Sequence, residues 1–163
     1  MRPWILTIAV LCASPLVSHS QPASQENVEL VRRLYQLYAW EAAERPVRAQ
    51  KAFVEEPRER LEEFLEPGLA SLLRRDRECV ERTREVCKLS FSPLWASQDP
   101  GATNLVVLPA TQGGTVNVQF SHPGSGQQVV LRFSVVATQS GPRIADIEYT
   151  RGSTLRKLLG GGG

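Results

Sequence analysis

Residues 79–87 read "CVERTREVC", two cysteines closing a nine-residue stretch that is otherwise mostly charged. Eight residues of continuous helix separate their Cα atoms by about 12 Å, whereas a disulfide needs less than about 7 Å. If Cys79 and Cys87 are joined, a helix entering this stretch must end inside it and the chain must turn back within "VERTRE". Two other readings fit the residues less well. Structural zinc takes four cysteine or histidine ligands at short spacings. Beyond residue 20 the chain has only these two cysteines and the distant His122. A thioredoxin-like redox pair is Cys-x-x-Cys, which this is not. The expectation is a structural disulfide, with no metal and no cofactor.

The beginning of the chain favours that pairing. "MRPWILTIAVLCASPLVSHS" has a basic Arg2, an uncharged apolar stretch from Trp4 to Leu11, and small residues at Ser18 and Ser20. The apolar stretch is far short of the roughly 20 residues that span a bilayer. This is the pattern of a secretory signal over residues 1–20, with the cut between Ser20 and Gln21. Leu11 precedes Cys12 where a lipoprotein signal has a small residue, which argues against a lipid anchor at Cys12. Export leads to an oxidising compartment, where paired cysteines form disulfides. Without residues 1–20, one of the 19 basic residues (Arg2) is gone, leaving 18 against 17 acidic ones. So even a balance does not suit a nucleic-acid binder, which needs a clustered basic face. About 140 residues remain, enough for one domain and one core. No later run is long and apolar enough to be a transmembrane segment, and the oligomeric state is not legible.

Charge divides the rest of the chain. Residues 26–88 hold 14 acidic and 13 basic side chains, whereas residues 89–163 hold 3 and 5. The spacing in residues 24–88 predicts helices. Val28, Val31, Tyr35, Tyr38 and Ala42 recur at steps of three and four, widened by Leu30, Leu34 and Leu37. Ser24 is placed to cap this helix and Pro46 to limit it. A short helix follows Pro57, with Leu61, Phe64 and Leu65 inward. Pro67 opens another at a first helical position, with Leu69, Leu72 and Leu73 on one side. Residues 89–102 form a connector.

Residues 103–151 predict a sheet. Four β-like runs, at 103–109, 114–121, 127–138 and 142–150, are punctuated by Gly113-Gly114, Pro123–Gly126 and Gly141-Pro142, as in an antiparallel meander. Val116, Val118, Phe120 and Val129, Leu131, Phe133, Val135 alternate, so one face is buried. Ser153 is placed to cap a short helix over 153–159, and a glycine tail fills 160–163. The whole of residues 21–159 reads as a single α+β domain, with helices packed on a curved four-stranded antiparallel sheet.

Catalytic chemistry finds little to work with. His122 lies in the turn-like "FSHPGSG", and there is no Gly-x-Ser-x-Gly elbow or phosphate-cradling loop. In "RIADIEY", Asp146 and Glu148 share one strand face and Ile147 and Tyr149 the other. Asp146 would be a general base if it faced a cup formed by the sheet. The connector "LSFSPLWASQDPGATN" places Phe91, Trp95 and Asp99 where they plug the sheet's open end or line a site. Phe91, Trp95, Asp99 and Asp146 are therefore the candidate binding surface, with no catalytic residue assigned.

The segments "LYQLYAW", "LEEFLEPGLASLL", "SPLWASQDPG" and "GPRIADIEYTRGSTLRKLL", taken in order, resemble small exported bacterial proteins of the domain-of-unknown-function 3828 family. That family looks like the nuclear-transport-factor-2-like or cystatin-like fold. This chain keeps Gln98-Asp99, Ile144, Asp146, Ile147, Ser153 and Leu155, and departs where Pro142-Arg143 replaces an aromatic residue before Ile144. The resemblance implies no catalytic residues. It implies a periplasmic protein that binds another protein, most concretely an immunity protein neutralising a delivered antibacterial toxin. The other expectation is a small-ligand carrier or an enzyme using the cup of the sheet.

Overall fold

The computed structural model describes residues 23–43, 50–109, 114–149 and 152–160. The signal-like segment, with Arg2, Cys12 and the Ser20–Gln21 junction, lies outside the described residues, as do Pro46 and residues 161–163. Gly160, read as the start of the glycine tail, is instead the last residue of a helix. Helix α1 spans Ala23–Tyr38 and runs into a 3-10 turn over Ala39–Ala42. A second 3-10 turn covers Phe53–Glu55. Helix α2 covers Arg58–Leu61, α3 Pro67–Thr83 and α4 Leu155–Gly160. Strands β1 Thr103–Pro109, β2 Thr115–Ser121, β3 Gln128–Thr138 and β4 Gly141–Glu148 form one sheet. The strands are all antiparallel and follow the order β1-β2-β3-β4. The α+β class, the meander and the closing helix expected from the sequence are all present.

Helices cover one face of the sheet. Val28, Val31, Leu34, Tyr35 and Tyr38 of α1 are buried against Val116, Val118, Phe120, Leu131, Phe133 and Val135. Leu61, Phe64, Leu65, Leu69 and Leu73 extend the same core. Leu37, assigned to the helix stripe by its spacing, is instead 43% exposed. Helix α1 begins at Ala23, so Ser24 stands inside the first turn rather than at its cap. At α4 the capping role falls to Thr154, one residue after Ser153: its Oγ1 accepts from the Lys157 N–H at 3.2 Å.

Strand β4 carries a bulge that the sequence pattern conceals. Val135 pairs with Ile144, but the adjacent Ser134 pairs with Asp146, leaving Ala145 extra. Ile144 and Ile147, three apart, are thereby both fully buried. The outer edge of β4 is covered. The Ile144 N–H donates to the Phe64 carbonyl and the Glu66 N–H to the Ile144 carbonyl, both at 2.8 Å. Arg143 donates from Nε to the Glu62 carbonyl at 2.7 Å and fastens the same edge. Among the described residues, β1 pairs on its β2 side alone.

Helix α3 ends inside the cysteine loop, as the geometry of the pair requires. Thr83 is its last residue, and Arg84 takes the left-handed conformation (φ 63°) that reverses the chain. Cys79 and Cys87 are at disulfide distance, with Cα atoms 6.2 Å apart. Buried Asp76 holds the exit: its carboxylate accepts from the Lys88 N–H at 2.8 Å and the Leu89 N–H at 3.3 Å. The connector that follows therefore leaves α3 in a fixed direction.

Candidate functional site

The connector is built around Trp95. Ser92 donates its N–H to the Ser97 carbonyl at 2.9 Å, and the Trp95 and Ala96 N–H groups turn back to the Ser92 carbonyl. Ala96 adopts φ 51° to close this knot. Two tyrosines from different elements hold it down. The Tyr35 hydroxyl donates to the Leu94 carbonyl at 2.7 Å, and the Tyr149 hydroxyl to the Pro93 carbonyl at 3.3 Å. Burial pushes both phenols well above their ordinary range, so each remains a neutral donor. The Trp95 ring, 1% exposed, meets Tyr35 edge-to-face at 5.1 Å and Phe120 at 5.6 Å. Trp95 thus fills the helix side of the sheet as a plug and presents no surface of its own.

A carboxylate that the sequence reading did not single out organises the other side of the connector. The 3-10 turn after α1 folds Glu41 toward the Phe53–Glu55 turn. One oxygen accepts the Phe53 N–H at 2.7 Å and the other the Ser92 hydroxyl at 3.0 Å. The buried Trp95 Nε1–H makes no hydrogen bond of ordinary geometry, but lies near enough to Glu41 to act as a looser third donor. Burial raises the Glu41 carboxyl above the usual carboxylate range. The Phe53, Ser92 and Trp95 donors oppose the shift, and the negative charge of Glu55 adds to it. Beside Glu41 lies a cavity of about 360 Å³, with Trp40, Val54, Phe91 and Gln98 among its walls. Phe91 is half-buried and stands edge-to-face on Tyr149 at 5.3 Å.

The four sequence-derived surface residues thus separate. Phe91 lines the cavity, whereas Trp95 is buried in the core and is not among its walls. Asp99 is exposed, and its backbone carbonyl accepts from the Ser97 hydroxyl at 2.9 Å. Asp146 serves elsewhere: its Oδ1 accepts the N–H groups of Ile147 and Arg156, each at 2.9 Å, and so anchors the start of α4. Asp146 and Glu148 do share the sheet's outer face, where Glu148 pairs with Arg132 at 3.2 Å. His122 belongs to the β2–β3 hairpin, its N–H donating to the Gln127 carbonyl. A second groove, of about 460 Å³, runs beside the disulfide between Leu72, Asp76, Lys88 and Leu159.

The outer face of the sheet is mixed, with exposed apolar side chains on β1 and β3 separated by the polar outward residues of β2. Cross-strand pairing puts Val106, Gln119 and Val130 in one row, and Leu108, Asn117, Arg132 and Glu148 in the next. Val106, Leu108, Val130 and Val136 are each between 37% and 45% exposed. No helix of the described residues is long and apolar enough to cross a membrane. The fold and surfaces define a small disulfide-stapled α+β domain with helices on one sheet face and an open second face. No protein-family model, curated protein or solved structure matches the chain.

Proposed function

We propose that this is an exported, non-enzymatic protein whose task is to bind another protein. The observation that carries this reading is the bare side of the sheet at β1. The strand "TNLVVLP" has no charged residue, its outer edge has no strand partner among the described residues, and Leu105, Val106 and Leu108 are exposed along it. Edge strands are ordinarily protected by charge, proline, bulges or cover: β4 is covered by residues 64–66, whereas β1 has a bulge between Thr103 and Val106 and ends at Pro109. An apolar edge strand without a strand partner, separated from Val130 on β3 by the polar Gln119 of β2, suits a partner that docks a strand against β1. The disulfide and the signal-like first twenty residues support a periplasmic location. With the resemblance to the domain-of-unknown-function 3828 family and its nuclear-transport-factor-2-like or cystatin-like fold, they support an immunity protein as the concrete form of the reading. The engagement of Asp146 in holding α4 weighs against a general base at that position.

The test is chemical crosslinking of the full-length protein, produced with its own leader, followed by isolation of the complex. The double variant Val106→Asp/Leu108→Asp is expected to retain the partner at least tenfold less well, with an unchanged far-ultraviolet spectrum and melting temperature. The exported protein is expected to begin at Gln21. Retention of the partner by a folded double variant would refute the sheet surface as the binding face.

A further inference from the structure

We propose that the cavity beside Glu41 is a binding site for a compact organic ammonium ion. The inference stands apart from the partner surface on the sheet, because it concerns the opposite, connector side of the fold. Its volume, about 360 Å³, lies at the small end of the roughly 300–1,000 Å³ that small-molecule sites occupy. The walls divide by chemistry. Trp40, Val54, Leu89 and Phe91 supply apolar surface, while Glu41 and Gln98 supply acceptors. No lysine or arginine is among the described residues that line it.

The sign of the ligand follows from electrostatics. Glu41 accepts from the Phe53 N–H and the Ser92 hydroxyl, one on each oxygen, with the Trp95 indole as a looser third donor. Of the roughly four acceptor sites of a carboxylate, one is left for a further donor. Burial and the nearby Glu55 both disfavour the ionised form. A bound cation reverses that penalty, whereas an anion would add to it. A neutral apolar guest would bury the carboxylate further without supplying a donor. An ammonium head answers the carboxylate, and its hydrocarbon part covers Val54 and Leu89. The aromatic side chains of Trp40 and Phe91 favour a weakly hydrated cation over a metal ion. The same chemistry is presented by a free amine and by the lysine side chain of a polypeptide.

The experiment titrates the full chain at neutral pH with n-butylammonium chloride, n-butanol and sodium chloride, following backbone and indole N–H resonances by NMR. Butylammonium is expected to give saturable shifts at the Trp40 indole and at the Phe53 and Ser92 amides, at least tenfold weaker in Glu41→Gln. Comparable affinity for n-butanol would overturn the proposal, as would undiminished binding by a folded Glu41→Gln or a response no different from sodium chloride. The butanol contrast needs only the wild-type chain, so a misfolded variant leaves the test intact. Nα-acetyl-lysine-N-methylamide identifies the source. Binding at least as tight as butylammonium assigns the site to a polypeptide lysine, and weaker binding assigns it to free amines.

Discussion

Glu41 accepts the Phe53 N–H on one oxygen and the Ser92 hydroxyl on the other, joining three segments far apart in sequence. It does so as a carboxylate held above its usual range, chiefly by burial. The folded chain therefore binds this proton more tightly than the unfolded chain, where a glutamate titrates near about 4.3. Its stabilising contribution is fully present below that unfolded value and is lost as pH rises through the folded one. Glu41→Gln keeps the shape and removes the buried charge. It is expected to raise the melting temperature at pH 7, with the gain shrinking toward pH 4, where the native carboxyl is itself protonated. A variant less stable at pH 7 than at pH 4, relative to wild type, would show that the ionised hydrogen bonds outweigh the burial. Neither Glu41 nor Asp76 was legible as a structural residue. Both stand in a segment dense with acidic and basic side chains, where a charged residue reads as solvated surface. Only the return of Phe53, Ser92 and residues 88–89 to their carboxylates distinguishes them, and that is tertiary information. Trp95, placed by its sequence in the candidate binding surface with a plug as the other reading, is buried as the plug, because a tryptophan between prolines in a connector has a large apolar surface to bury.

The elements were easier to read where one period governs. Strands β2 and β3 alternate strictly because one face meets helix α1 and the other meets solvent, so their limits emerge within a residue or two. Strand β4 hides its bulge, since Ile144 and Ile147, three apart, break the two-residue alternation of a strand and by spacing alone fit a helix face. The break in α3 was legible for a covalent reason: a bridge between Cys79 and Cys87 is incompatible with an unbroken helix. That bridge, the Arg84 reversal and Asp76 together aim the connector. Helix α3 is also fixed at its start, where Glu66 accepts the Leu69 N–H at 3.3 Å and pairs with Arg156 of α4 at 2.7 Å. Replacing both cysteines by serine is expected to cost roughly 2–3 kcal/mol in denaturant unfolding, the chain-entropy value for so short a loop. The loss is expected to equal that of the wild type after reduction. No change on reduction would mean that the turn is held by Arg84 and Asp76 alone.

At the scale of the molecule, the two faces of the sheet are treated differently. The inner face is closed by α1, α3 and Trp95, while the outer face leaves Val106, Leu108, Val130 and Val136 partly bare. One sheet edge is sealed by residues 64–66 and the other, at β1, has no strand partner among the described residues. The sequence pattern announced four strands but could not say which edge would be covered, because the cover comes from a non-strand segment near Leu65. The most direct test is amide hydrogen exchange of the full chain, free and in complex with its crosslinked and isolated partner. Protection is expected at the amides of Leu105 to Leu108. Unchanged exchange there, with protection gathered instead on α3 or the disulfide groove, would contradict the assignment of the sheet as the binding face.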